Sequence, residues 1–508
     1  AFTLRSSNDE FDLERLEVLG DAFLKFSIGE YVFLSFMDDH EGNLSLKRSG
    51  LVCNKTLYGL AKKLGLPNFL QTGKLDPKVN GFLPGFIANP TIAKKLCDLG
   101  LNGNLWHQVL STKDYVKLVK ICVYKILCEF DKYRQSQEHC VSSCLAGGID
   151  LKACGREAIQ ALIGAYLLVG GSKAARRFMD WLRIVENKDS SFMSDARIVN
   201  KTIMSTEYWA EREVSRVYHS NCLDRLEDEI GYTFNNKSFL VQAVTHPSAI
   251  QNKVTDCYQR LEFLGDAVLD YLITGLIYSR SKQYTPGKIT DIRSHLVKNE
   301  TLAKVAVTVN LHKYLVYSNS KLQASIDRFI ELLDDHVDDE DNDELNCEED
   351  TEVVEDIEVP KALGDMVEAI IGAVYLDSQQ SLHQTWNVIE KLMSSVLLDL
   401  QSAIPINCIR KLYEVVGSGD IEFECKPPED KEPARVTVYV KDFKPVKGLG
   451  KNIRVAKQAA AKLALKKKGI FQIKRPNGPL KKSPKIPKII PELLTGRLLI
   501  NNHFTLFW

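Results

Sequence analysis

Two carboxylates four residues apart, Glu262 and Asp266, stand inside the otherwise apolar run Tyr258-Gln-Arg-Leu-Glu-Phe-Leu-Gly-Asp-Ala-Val-Leu-Asp270. On a helix they share one face while Leu261, Phe263, Leu264, Val268 and Leu269 pack away from it, so the acids stand at the rim of a core. Nearly the same words occur 245 residues earlier, in Glu14-Arg-Leu-Glu-Val-Leu-Gly-Asp-Ala-Phe-Leu24, which carries Glu17 and Asp21. A further pair, Asp365 and Glu368, lies three apart in Val359-Pro-Lys-Ala-Leu-Gly-Asp-Met-Val-Glu-Ala-Ile-Ile-Gly-Ala373. If the two helices pack face to face, Glu262, Asp266, Asp365 and Glu368 converge. Hard oxygen ligands of that kind suit Mg²⁺ or Mn²⁺, and such a cluster activates water and stabilises both oxygens of an in-line phosphoryl transfer. A lone Glu/Asp pair at helical spacing is ordinarily a solvated face. Repetition of the octet, with a second acidic pair before an apolar run, argues against that here.

These residues need a scaffold. At 508 residues the chain is too long for one core, and about three domains are expected. Its 66 basic and 66 acidic residues balance, so net charge names no partner until its distribution is read. Twelve cysteines without a CxxC pair are poor material for a zinc site or a disulfide framework, and read as reduced thiols of an intracellular protein. The start, Ala1-Phe-Thr-Leu-Arg5, has no initiator Met and no signal-peptide pattern, so a fragment of a longer protein is expected. The most apolar window, Ala158 to Gly171, is shorter than the roughly 20 residues of a membrane span and reads as a buried helix.

Residues 1–185 read as helical, with one long amphipathic helix from Leu13 to Phe36, a basic segment Leu46–Asn54, and a helix through Lys63. An irregular insertion is expected near 70–110, and helices return at Tyr115–Tyr133 and Lys152–Trp181. A polar linker is expected over 186–220. The second unit, 221–400, repeats the order of the first: carboxylate helix, glycine turn, basic segment Ile292–Asn299, further helix. Inside it, residues 334–358 hold fifteen acids in 25 positions, which predicts a disordered loop. The third unit, 402–468, changes character. It reads as a helix to Val416, strands at Ile421–Cys425 and Val436–Val440, and an Ala-rich helix Arg454–Leu465. Lys441, Lys444, Lys447 and Lys451 flank Gly448-Leu-Gly450, which is read as the approach to that last helix's N-terminus, a place that favours anions. A basic, Pro-containing tail, 469–508, follows.

Both octets resemble the RNase III signature, and two such domains followed by a basic α-β-β-β-α module look like the C-terminal half of the Dicer family, most like its plant members. The resemblance covers residues 1 to about 468. It implies a mainly α fold: two all-helical RNase III domains paired as an intramolecular pseudo-dimer, hence a monomer, followed by a double-stranded-RNA-binding domain. It also implies an Mg²⁺- or Mn²⁺-dependent endoribonuclease, with two ions per site, in RNA silencing. That enzyme cuts double-stranded RNA into small duplexes with 5′-phosphates and short 3′ overhangs. Double-stranded RNA and RNA-binding partner proteins are the implied partners, no membrane is involved, and the nucleus is expected over the cytoplasm. Glu262, Asp266, Asp365 and Glu368 match the family's four metal ligands.

The first domain departs from that pattern. Glu17 and Asp21 match, but aligning Ala161–Ala165 with Ala369–Ala373 places Glu157 at the position of Asp365 and Gln160 at that of Glu368. Gln lacks the charge that offsets closely spaced cations, so the first site is expected to be slow, metal-weak or inactive. In the basic module, Lys447, Lys451, Arg454 and Lys457 are the expected RNA contacts. The competing readings are a duplex-binding scaffold with degenerate centres and a Drosha-like processor of hairpins.

Overall fold

The computed structural model describes residues 1–5, 12–70, 151–185, 208–249, 254–280, 284–338, 351–353, 359–402, 408–427, 434–441, 444–450 and 452–467. The expected insertion beyond Leu70, the helix Tyr115–Tyr133 and the C-terminal tail lie outside them. The chain divides into two compact units. Unit 1 comprises Ala1–Val199, Asp270–Ile289 and Lys488–Trp508, and unit 2 comprises Asn200–Leu269 and Thr290–Pro487.

Unit 1 is built on α1 (Glu14–Ser35), α2 (Glu41–Val52), α3 (Asn54–Lys63) and α4 (Leu151–Leu182). α1 and α4 pack along each other, burying Leu19, Phe23 and Phe26 with Ala158, Ile159 and Ile163. They touch at glycines. A Cβ on Gly20 would lie 1.7 Å from the Gln160 carbonyl oxygen, and one on Gly164 would lie 2.3 Å from that of Leu16. α4 is long and apolar enough over Gly155–Leu182 to span a membrane, a longer stretch than the apolar window suggests, but half of it is buried in the protein. It is a core helix, broken where Gly171 adopts φ 70°, a conformation that glycine takes at little cost. Gly59 in α3 is different, because nothing lies within 4 Å of an added Cβ. Gly59→Ala is therefore expected to stabilise unit 1 by about 0.5–1 kcal/mol through helix propensity, read as a higher urea midpoint at unchanged m-value.

Unit 2 begins with α5 (Tyr208–Ser220), α6 (Leu223–Ile230) and α7 (Lys237–Ala243). Over 208–220, α5 replaces the expected linker, whose earlier residues lie outside those described: Val214, Val217 and Tyr218, at spacings of three and four, are buried as α5 packs on α6 and α7. Its remaining polar residues hid that stripe in the sequence. Next come α8 (Gln259–Arg280), α9 (Pro286–Leu296), α10 (Asn299–Thr308) and α11 (Ser320–Asp338). The second half of α8 belongs to unit 1. There Tyr271 stacks on Phe26 at 5.0 Å and meets Phe23 edge-on, while Arg15 donates to the Tyr284 carbonyl at 2.6 Å.

After α11 come β1 (Thr351–Val353), α12 (Lys361–Asp377), α13 (Leu382–Leu392) and α14 (Ser394–Ser402). The Asp377 carboxylate at the end of α12 accepts from the Tyr232 hydroxyl at 2.9 Å and from the backbone N–H groups of Asn235 and Asn236, both at 2.8 Å. The acidic stretch 334–358 is structured at two places that charge alone did not foretell: α11 continues to Asp338, and β1 forms a strand. Main-chain pairing explains the second, since ladder hydrogen bonds are indifferent to side-chain charge. Its remaining residues lie outside those described.

The closing module is α15 (Cys408–Val416), β2 (Ile421–Lys426), β3 (Ala434–Val440), β4 (Val446–Gly450) and α16 (Ile453–Lys467). The sheet order is β1-β4-β3-β2, antiparallel except that β1 adds in parallel to β4, with Thr351 opposite Lys447. β3 alternates with period two, burying Ala434, Val436, Val438 and Val440 against α16. Gly448-Leu-Gly450, expected at the approach to the helix N-terminus, is part of β4. A Cβ on Gly448 would lie 2.3 Å from the Ala456 carbonyl oxygen, so glycine lets the strand meet α16 backbone to backbone.

Candidate metal centre

α8 and α12 cross as α1 and α4 do. A Cβ on Gly265 would lie 1.8 Å from the Glu368 carbonyl oxygen, and one on Gly372 would lie 2.4 Å from that of Leu261. This contact brings the turn carrying Glu262 against the turn carrying Asp365 and Glu368. Side-chain oxygens of Glu262, Asp365 and Glu368 all lie within 4.8 Å of one another, the one such group of three potential ligands among the described residues. Asp266 stands outside that group, although its charge acts on Glu368.

The sequence reading assigned no role to two neighbours that complete the arrangement. Lys361 Nζ bridges Glu262 Oε1 and Asp365 Oδ2, each at 2.9 Å. Burial works against its charge, but the hydrogen bonds to Asp365 and Glu262 outweigh burial and raise the ammonium pKa. The Tyr258 hydroxyl donates to Asp365 Oδ2 at 3.3 Å. Both residues stood in the quoted stretches, and the signal for Lys361 was its position one helical turn before Asp365.

Charge governs this site. Burial, followed by the charges of Asp266, Asp365 and Glu262, pushes the Glu368 carboxyl well above its usual range. Burial raises Asp365 as well, against the opposing hydrogen bond and charge of Lys361. Burial and mutual charge thus act against ionisation of Asp365 and Glu368, a cost that a hard cation among such oxygens offsets. The residues fit a divalent ion: Glu262, Asp365 and Glu368 would hold it, with Asp266 adjacent.

The first copy is assembled differently. Gln160 Nε2 donates to Asp21 Oδ1 at 2.7 Å, and Lys25 Nζ lies 2.8 Å from Asp21 Oδ2. Arg156, also without an assigned role in the sequence reading, places NH2 3.1 Å from Glu157 and 3.6 Å from Glu17, and donates through NH1 to Asn54 Oδ1 at 3.2 Å. Burial and the Glu157 charge push Glu17 up to about 7 despite Arg156. Glu17, Asp21, Glu157 and Gln160 thus come to one place, but with cations and amide donors among them.

Of the expected RNA contacts, Lys447 on β4 and Arg454 in the first turn of α16 are exposed. Lys457 lies over the Phe423 ring with Nζ 4.2 Å from its centroid, and Lys451 is outside the described residues. The Asn452 side chain accepts from Val455 N at 3.0 Å and caps α16.

Two mainly helical regions, each with a carboxylate-lined helix crossing, and a module of helices and antiparallel strands define a nuclease architecture. Residues 14–171 and 259–379 match the Ribonuclease III domain family, and residues 385–473 match the Dicer dsRNA-binding domain. The chain belongs to the ribonuclease III family, in the Dicer arrangement of two nuclease domains followed by a double-stranded-RNA-binding domain. It is 33% identical to the endoribonuclease Dcr-1 of Drosophila melanogaster over 93% of this chain and 23% of that protein. It is also 34% identical to the endoribonuclease Dicer homolog 4 of Oryza sativa over 78% of this chain and 21% of that protein. Among solved structures, Dicer from Giardia intestinalis is 14% identical over 75% of this chain and 54% of that one, with a TM-score of 0.31. The chain spans 23% and 21% of the length of the two curated relatives named here.

Proposed function

We propose that this chain hydrolyses double-stranded RNA at the centre formed by Glu262, Asp266, Asp365 and Glu368. The observation that carries the proposal is the convergence of three of these carboxylates within 4.8 Å. Hydrolysis joins a water oxygen to phosphorus and breaks the bond to the 3′ oxygen, leaving a 5′-phosphate and a 3′-hydroxyl. A divalent ion, Mg²⁺ or Mn²⁺, supplies Lewis acidity and lowers the pKa of bound water when present. The chain's own groups do the rest. The helix crossing fixes the carboxylates, and Lys361 holds Glu262 and Asp365 in place. Lys447 and Arg454 add phosphate contacts that read duplex shape with little sequence choice.

The proposal includes the family's intramolecular pairing of the nuclease domains and a part in RNA silencing, with RNA-binding proteins as partners. Small duplexes with short 3′ overhangs would require a cut on each strand, of which the second centre supplies one. The scaffold reading draws on the first copy alone. An end-labelled duplex tests the proposal. Cutting is expected with Mg²⁺ and none with excess chelator, while the single strands stay whole; cutting that persists under chelation overturns it.

A further inference from the structure

We infer that the first nuclease domain fills its own centre with the Arg156 guanidinium and takes no catalytic ion, so that the chain nicks one strand of a duplex per binding event. This rests on the proposed cutting at the second centre.

The donor set of the first copy points the wrong way for a cation. A hard metal needs oxygen lone pairs directed at one point. Here the Gln160 side chain offers its N–H to Asp21, while its Oε1 is buried with no protein partner. Lys25 takes the other Asp21 oxygen. Glu17 and Glu157 face a single guanidinium, which also holds Asn54. Arginine cannot shed its proton to make room. Its planar fork reaches three partners at once, so a dication entering would meet a fixed positive charge at the oxygens it needs.

The second copy shows that this arginine is a departure and not a requirement of the fold. By the alignment that pairs Glu157 with Asp365, Arg156 falls at Gly364. There even a Cβ would lie 1.9 Å from Asn299 Oδ1, the counterpart of Asn54. One copy therefore packs its asparagine against bare backbone, and the other spends the same position on a cation. The second copy's own cation, Lys361, bridges two of four acids and leaves an acidic excess. The first copy sets Arg156 and Lys25 against Glu17, Asp21 and Glu157, with Glu14 and its partner Arg5, 3.7 Å apart, beside them and a neutral Gln160 at the position of Glu368.

Two readouts on the full chain test the inference. Mn²⁺ binding followed by electron paramagnetic resonance is expected in the unaltered protein and should weaken at least 10-fold in Glu262→Gln/Glu368→Gln. Retained duplex binding shows that this variant is folded. Tight binding that survives in the double variant and disappears on adding Glu17→Gln overturns the inference. Adding Arg156→Ala to the double variant is expected to bring Mn²⁺ binding to the first centre; no gain overturns the arginine's part. The second readout is single-turnover cutting of a duplex labelled on both strands. Denaturing gels should show cut strands while native gels show full-length duplex, and double-strand breaks that form as fast as the first cut overturn the inference. Absence of Mn²⁺ binding in the unaltered protein would instead overturn the proposed function, so the two failures are distinguishable.

Discussion

Glu368→Gln is expected to lower duplex cutting at least about 100-fold, the upper end of what even an outer-shell partner costs a metal site, while making the metal-free protein more stable above neutral pH. Both effects follow from one cause. Burial and three neighbouring carboxylates raise the Glu368 pKa above its unfolded value near 4.5. Between those two values the native state binds more protons than the unfolded state, so stability falls as pH rises through that window and stays reduced above it. Gln carries no titrating proton, so this contribution to the slope vanishes. Glu17, raised by burial to about 7, leaves a residual slope of the same sign below neutral pH.

Metal reverses the penalty. An ion at one hundred times its dissociation constant adds about 2.7 kcal/mol. That corresponds to roughly 5–10 °C in the melting temperature of a domain of this size. Because ligand carboxyls must lose protons to bind it, the gain should be larger at pH 8 than at pH 6. Melting curves with and without Mg²⁺ across that range check the prediction. A metal-free melting temperature that falls with pH equally in both proteins would refute the assignment of the strain to Glu368.

The convergence of carboxylates at the crossing of α8 and α12 was legible in the sequence because it is written in local periodicity. Glu262 with Asp266 and Asp365 with Glu368 announce a shared helix face, and the apolar run around each pair announces the core that presents it. The helices of the first copy and the outer elements of the closing module were legible for the same reason. Partners that act across helices were less visible. Arg156 reads as a surface cation until the helix crossing sets it beside Glu17, 139 positions earlier in the chain. The strand β4 was hidden because two of its five residues are glycines, chosen for closeness to α16 and not for strand propensity. α5 was masked by the polar residues around its three buried ones. β1 was masked by its acidic surroundings, since charge predicts solvation but says nothing of main-chain pairing.

Gly265→Ala is expected to damage both the fold and the reaction, and the pairing of the two copies separates those effects. The added Cβ would lie 1.8 Å from the Glu368 carbonyl oxygen and 2.6 Å from the carbonyl carbon, with Gly372 N at 3.0 Å. These are backbone atoms, so no rotamer change relieves the contact and α8 and α12 must move apart by about 1 Å. Overpacking of this kind costs about 3 kcal/mol or more, offset only by the roughly 1 kcal/mol that alanine gains over glycine in a helix. The same movement separates Glu262 from Asp365 and Glu368. A displacement of about 1 Å at reacting groups lowers rates about 100-fold. Cutting should therefore fall even well below the melting temperature, where the protein is folded. Gly20→Ala makes the equivalent clash in the first copy, 1.7 Å from the Gln160 carbonyl oxygen. It should lower unit 1 stability comparably yet leave first-cut rates of the folded protein within about 3-fold, because the centre it disturbs holds an arginine and not an ion. Equal loss of cutting in the two variants would mean that both crossings serve catalysis, and unequal loss locates the chemistry at the crossing of α8 and α12.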